Sequence, residues 1–197
     1  VRPDQPFELF DDDVSDPAAI TELVSKYGVA VLVEQVENRR GMFWAARALA
    51  REHGECATLK RDSIGEEGAV LRDLFDQPWM HAVAEAYFGA DPYVFNPEIT
   101  LASVLPGPDP VTQVDDQPGL KFLLYVTEVD SGSGVLRCIL GSHHAGKRLP
   151  SAEPTDRLVR LEAPQGSFLV LDGDLTLRNA IVRRHPRITA SARCYRA

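Results

Sequence analysis

The chain has 197 residues, a net charge of −8 and a pI near 5.1, a balance that argues against nucleic acid or an anionic membrane as its main partner. A hydrophobic fraction of 44% beside 25% charged residues gives enough apolar material for a core without metal or disulfide staples. No apolar run reaches membrane-spanning length, and the opening VRPDQPFELFDDD lacks the basic and apolar parts of a signal peptide, so a cytoplasmic protein is expected.

Residues 1–197 are expected to form one domain, helical over 1–90 and mostly strands over 91–197. In SDPAAITELVSKYG, Ser15 or Asp16 can cap a helix and Pro17 suits its first turn, while Ile20, Leu23, Val24 and Tyr27 recur at helical spacing up to Gly28. VAVLV over 29–33 reads as a short buried strand. A second amphipathic helix is predicted over 36–53, with Phe43, Ala46, Leu49 and Ala50 on one stripe. The polar, glycine-bearing stretch ECATLKRDSIGEEG over 55–68 reads as a mobile loop, and a third helix fits 78–89, opened by Pro78 and closed by Gly89.

Beyond residue 90 the pattern changes to short runs rich in β-branched and aromatic residues: PYVFNPEITLASVLPG, LKFLLYVTEV, GVLRCIL, RLVRLEA, GSFLVLDGDL and RITASARCYR. Turn sequences such as PGPDP, DSGSG and APQG separate them. Helices first and at least six strands after them predict a jelly roll buttressed by N-terminal helices. Cys56, Cys138 and Cys194 are far apart, odd in number and without a CxxC pair, which predicts buried reduced thiols. After Asp174 no acidic residue follows, whereas Arg178, Arg183, Arg184, Arg187, Arg193 and Arg196 do. That run is either a solvated edge strand with a basic loop, or it turns one or two arginines inward to hold a carboxylate.

The order of elements and the stretch LKFLLYVTEVDSGSGVLRCILGSHH over 120–144 resemble the phytanoyl-CoA dioxygenase family of Fe(II)- and 2-oxoglutarate-dependent oxygenases. GVAVL after the first helix and GSFLVLDGDL before the last strands fit the same plan. The resemblance implies a double-stranded β-helix, and an iron held by an HxD pair and a distal histidine, leaving open positions for 2-oxoglutarate and oxygen. At the HxD position this chain reads Gln113-Val114-Asp115-Asp116, and Leu177 of DGDLTLRNA falls where the distal histidine is expected. Both imidazoles are therefore replaced in this alignment, and a carboxylate with an amide and an aliphatic group is a poor Fe(II) donor set. The resemblance assigns the histidine of GSHH (His143, with His144 beside it) to structure, leaves His185 in a basic loop, and makes Arg187 the counterpart of the arginine that pairs with 2-oxoglutarate.

On a strand Asp115 and Asp116 point to opposite faces, and the family register turns Asp115 inward. Desolvated by Leu177 and Phe122, its carboxyl should titrate high enough to serve as a general acid or base. Tyr125 is expected on the same strand face as Lys121. The leading reading is a small-molecule tailoring protein without a redox cofactor, performing isomerisation, cyclisation or elimination with Asp115 and Tyr125 as catalytic groups and Arg187 as anchor for an anionic substrate. The alternative is an active Fe(II)/2-oxoglutarate dioxygenase whose unusual metal site centres on Asp115. A third is a non-catalytic partner subunit, and both a homodimer and pairing with a homologue are compatible with the chain. No nucleotide-binding glycine loop, zinc CxxC set or GxSxG elbow is present.

Overall fold

A computed structural model describes residues 6–9, 16–105, 118–145, 158–179, 182 and 184–197, without the side chains of 178 and 179. The N-terminal part runs β1 (Glu8–Leu9), α1 (Pro17–Tyr27), β2 (Val29–Leu32), α2 (Arg39–His53), β3 (Cys56–Lys60), α3 (Ala69–Leu74) and α4 (Pro78–Phe88). The rest is β4 (Tyr93–Phe95), β5 (Glu98–Val104), β6 (Leu120–Tyr125), β7 (Leu136–Ile139), β8 (Leu158–Leu161), β9 (Phe168–Asp172), β10 (Leu177–Asn179) and β11 (Arg187–Arg196).

The helix signals act as read. The Asp16 carboxylate accepts from the Ala18 N–H, Pro17 opens α1, and Gly28 ends it in the left-handed region at φ 84° with its N–H donating to Val24. The second helix starts at Arg39 rather than at 36, because the Asn38 side chain caps it by accepting from Gly41 N–H at 2.9 Å. The stretch expected to be a mobile loop is instead strand β3 and two 3-10 turns, leading into the short helix α3. Its alternation in CATLK is genuine but shallow: Leu59 packs against the core while Cys56, Thr58 and Lys60 stay exposed.

Among the described residues two sheets form. The larger has the order β1-β2-β9-β6-β11-β5-β3 with β4 also on β11, and the smaller is β10-β7-β8. The two are the faces of a double-stranded β-helix, mainly β with helices against one side. Helices cover the outer face of the larger sheet, where Phe122, Leu124, Phe168, Val170, Ile188 and Ala190 pack with Ile20, Val24, Met42, Leu49 and Val83. Its inner face sends Val29, Val31, Leu123, Tyr125, Leu169 and Leu171 against Leu136, Cys138, Leu161 and Leu177 of the smaller sheet. A sheet buried on both faces explains why LKFLLYV and SFLVLDG read as nearly continuous apolar runs.

Three expectations change. The arginine-rich last strand is not an edge: β11 lies between β6 and β5 in the larger sheet. Phe122 faces the helices, so it cannot desolvate a carboxylate in the interior. Cys138 and Cys194 are buried as expected, but Cys56 is exposed on β3, and all three are free thiols. No helix of the described residues is long and apolar enough to cross a membrane.

Candidate functional site

The site grows out of β11. In RITASARCYR the residues Ile188, Ala190, Ala192 and Cys194 join the helix-side core, so the pleat turns Arg187, Thr189, Ser191, Arg193 and Tyr195 to the inner face. On β6 the same argument turns Lys121, Leu123 and Tyr125 inward, since Leu120, Phe122 and Leu124 pack outward. Register then fixes the rungs: Thr189 is opposite Tyr125, Ser191 opposite Leu123, and Arg193 opposite Lys121. On the other side Ser191 meets Thr100 of β5, and Thr100 meets Thr58 of β3, their hydroxyls 3.2 Å apart. A polar stripe therefore crosses an inner face that is otherwise Leu and Val.

At one end of this stripe, Tyr125 and Arg187 are both buried, and both are committed within the fold. The Tyr125 hydroxyl donates to the Leu161 carbonyl at 2.8 Å, tying the larger sheet to β8, and burial pushes its pKa above the ordinary tyrosine range. The Arg187 guanidinium donates to the Gly134 carbonyl and lies near Tyr125, and burial lowers its pKa. It holds the turn between β6 and β7, where Asp130 accepts from the Gly132 and Ser133 N–H groups. Those backbone hydrogen bonds keep the Asp130 carboxyl below its usual range. The exposed-arginine reading of Arg187 is thus overturned, and the structure places it beside Tyr125 in the interior.

At the other end are Lys121 and Arg193. Burial lowers Lys121 to a pKa of about 8, and Arg193 is also lowered, by burial. Each makes interactions inside the fold. Beyond this rung a cleft of roughly 690 Å³ is lined by Gly119, Asp172, Asp174, Tyr195, Tyr87 and Arg196, among others. Tyr87 donates to the Asp172 carboxylate, whose other oxygen accepts from the Asp174 N–H.

Of the positions that the resemblance reads as replaced ligands, Leu177 is described: it opens β10 opposite Cys138 and is buried in the apolar cluster between the sheets, together with Leu123, Tyr125 and Leu171. Gln113, Asp115 and Asp116 lie outside the described residues. A non-heme iron with 2-oxoglutarate is the group that the resemblance read from the sequence implies. The Leu177 side chain offers no donor atom, and no group of three or more His, Cys, Asp or Glu among the described residues is placed to hold a metal. His143 is turned away from the interior: its Nε2 donates to the Ser25 carbonyl at 3.0 Å, and a Cβ on Gly28 would stand 2.8 Å from its Nδ1. His53 and His81 ride on α2 and α4, and His185 is exposed.

The sequence reading singled out Tyr125 and Arg187, and the structure brings these two together. It did not single out Arg193, Ser191, Thr100 or Thr58 individually, nor assign Lys121 to the site. The signal was present in the period-two alternation of RITASARCYR, but it identifies an interior face only once β11 is known to be central.

No protein-family model matches the chain, and no curated protein matches it by sequence. The fold is similar to that of the epimerase SnoN, solved in complex with Fe3+, alpha ketoglutarate and nogalamycin RO, at 16% identity and a TM-score of 0.66 over 92% of this chain and 85% of that one. It is similar to SnoK, a non-heme alpha ketoglutarate dependent carbocyclase from nogalamycin biosynthesis, at 14% identity and a TM-score of 0.68 over 90% and 83% of the two chains. AviO1 from Streptomyces viridochromogenes Tue57 matches at 17% identity with a TM-score of 0.63 over 92% and 95%. At such identities the likeness is one of fold.

Proposed function

We propose that this chain is a small-molecule tailoring protein on an oxygenase-type double-stranded β-helix, related to the phytanoyl-CoA dioxygenase family, in which the standard iron triad has been replaced. The reaction proposed is an isomerisation, cyclisation or elimination without redox metal, with Asp115 as general acid or base. The observation that carries this reading is Leu177: an aliphatic side chain, buried with Leu123 and Leu171, stands where the family alignment needs an imidazole. Epimerisation and carbocyclisation, the activities named for SnoN and SnoK, have the outcomes of an isomerisation and a cyclisation, and so support the proposed kinds of product, although both enzymes are named as alpha ketoglutarate dependent.

The chain's own residues supply three things. Leu123, Leu171 and Leu177 form a dry wall, which raises the pKa of any carboxylate set against it. Tyr125 and Arg187 brace the far end, so they fix the shape of the interior rather than move protons. The cations Lys121 and Arg193 put positive charge on the same inner face, which suits an anionic substrate.

A second reading is favoured by the comparisons: SnoN and SnoK are both named as alpha ketoglutarate dependent, and SnoN was solved with Fe3+. In it the chain is an Fe(II)/2-oxoglutarate-dependent enzyme with a metal site centred on Asp115. Anaerobic Fe(II) titration by calorimetry, with and without 2-oxoglutarate and beside an Asp115→Ala control, separates the two. The proposal expects no binding at millimolar metal. Micromolar binding that disappears in the control would establish the second reading instead.

A further inference from the structure

We infer that the cleft between α4 and the ends of β6, β9 and β11 binds a small organic molecule through an ammonium group seated against Asp172 and Asp174. The site goes beyond the function proposed above, and neither reading needs the other. Its volume of roughly 690 Å³ is that of a small-molecule site. Asp172 ends β9 with its side chain turned toward the helices, as the packing of Phe168 and Val170 on that side requires. There it is 9% exposed, with Tyr87 of α4 donating to one carboxylate oxygen and the Asp174 N–H donating to the other. Tyr195, on the cleft wall, stands eight positions beyond Arg187 on β11. At a rise of about 3.3 Å per residue that is about 26 Å along the strand, so the cleft is remote from Arg187 and Tyr125.

Charge is what this cleft leaves unbalanced. Among the described residues the Asp174 carboxylate makes no ion pair, and its Oδ1 is buried without a hydrogen-bond partner. Arg196, the cation on the rim, is bridged to Asp91 at 3.0 Å. Burial, the hydrogen bond to Asp172 and the charges of Asp172 and Asp174 all push the Tyr87 phenol above its ordinary range, so it stays a neutral donor. Two neighbouring carboxylates therefore face the cleft without a cation of their own, an arrangement that is costly until one arrives. Tyr87, Phe88 and Tyr195 supply aromatic walls, and a ring face attracts an ammonium as a carboxylate does. A bare divalent cation is matched less well. Hard cations take about six or more oxygens. Here both oxygens of Asp172 already accept a hydrogen bond, and no third His, Cys, Asp or Glu among the described residues completes a metal group.

The probes are benzylamine and its neutral counterpart benzyl alcohol, titrated at pH 7 and constant ionic strength, with binding read by calorimetry and by the shift in melting temperature. The wild type, Asp174→Asn, Asp172→Asn and Glu52→Gln are compared, each checked for folding by circular dichroism. Benzylamine is expected to bind the wild type about tenfold or more tightly than benzyl alcohol does. Each asparagine variant should weaken benzylamine about tenfold or more and leave benzyl alcohol within about threefold. Glu52→Gln, which removes an exposed carboxylate on α2, should change neither by more than about twofold. If Asp172→Asn fails to fold, Asp174→Asn decides alone, since no hydrogen bond depends on its side chain. The inference is overturned if the wild type does not distinguish the two probes, if Asp174→Asn holds benzylamine as the wild type does, or if Glu52→Gln weakens it equally. Calcium chloride is the remaining arm: calcium bound at micromolar levels and lost in Asp174→Asn would make this a metal site and overturn the inference as well.

Discussion

Lys121 stands on β6, between β9 and β11, with its side chain on the inner face, and burial lowers its pKa from 10.5 to about 8. The folded chain gives up this proton near pH 8 and the unfolded chain near 10.5, so between those values the unfolded state binds more protons and stability rises with pH. Below pH 8 the full cost of burying the ammonium applies, on the order of 3 kcal/mol by linkage. Lys121→Met removes that cost while keeping the length of the side chain. It should melt several degrees higher than the wild type at pH 7, with the advantage shrinking steadily from pH 8 to 10.5, as followed by thermal denaturation across that range. A gain that does not change with pH would mean that packing, not charge, sets the difference. Little of this was legible in the residue itself, because the LK pair of LKFLLYV reads equally well as a surface lysine beside a buried leucine. Tyr125 illustrates the same limit: its place on the strand was legible, but not that its hydroxyl is spent on the Leu161 carbonyl, a residue 36 positions away.

Strand β6 enters the sheet through Gly119, whose φ of +137° and closeness to β11 leave no room for a side chain: a Cβ would stand 2.2 Å from the Cys194 carbonyl oxygen. The Gly119 carbonyl also accepts from the Gly173 N–H, so this one residue joins the ends of β6, β9 and β11 beside the cleft. Gly119→Ala should therefore cost about 3 kcal/mol or more in chemical denaturation, because both the backbone conformation and a backbone oxygen oppose it. A loss below about 1 kcal/mol would show that the strand ends give way easily. At this scale the chain was largely readable. α1 and α4 end where Gly28 and Gly89 stop them, and β4, β5, β6, β7, β8, β9 and β11 fall inside the apolar runs. β3 was missed because only Leu59 among CATLK reaches the core, and β10 because a three-residue strand carries no period.

For the molecule as a whole, the decisive question is whether the interior can hold iron. Leu177 turns an aliphatic group into the space between the sheets, and the function proposed above takes Gln113 as the other replaced ligand. If Asp115 is the surviving donor, the double variant Gln113→His, Leu177→His should recreate two imidazoles and a carboxylate. Fe(II) affinity should then rise from undetectable to micromolar in anaerobic calorimetry, at the expense of stability from placing an imidazole in an apolar wall. A double variant that folds yet binds no iron would show that the alignment of these positions with the family triad is wrong.

The sequence by itself determined the course from helices to strands, the ends of α1 and α4 at Gly28 and Gly89, and the burial of the β runs. Each of these depends on neighbours a few residues apart or on a motif read in one dimension. What the tertiary structure decided is which strand is central and which way each face points. β11 lies between β5 and β6, so an alternation that would have been a harmless solvated edge instead lines the interior with Arg187, Thr189, Ser191 and Arg193. The physical reason is that a strand's pleat specifies two opposite faces but not which of them meets water, and only the packing of helices on one side of the sheet settles that choice.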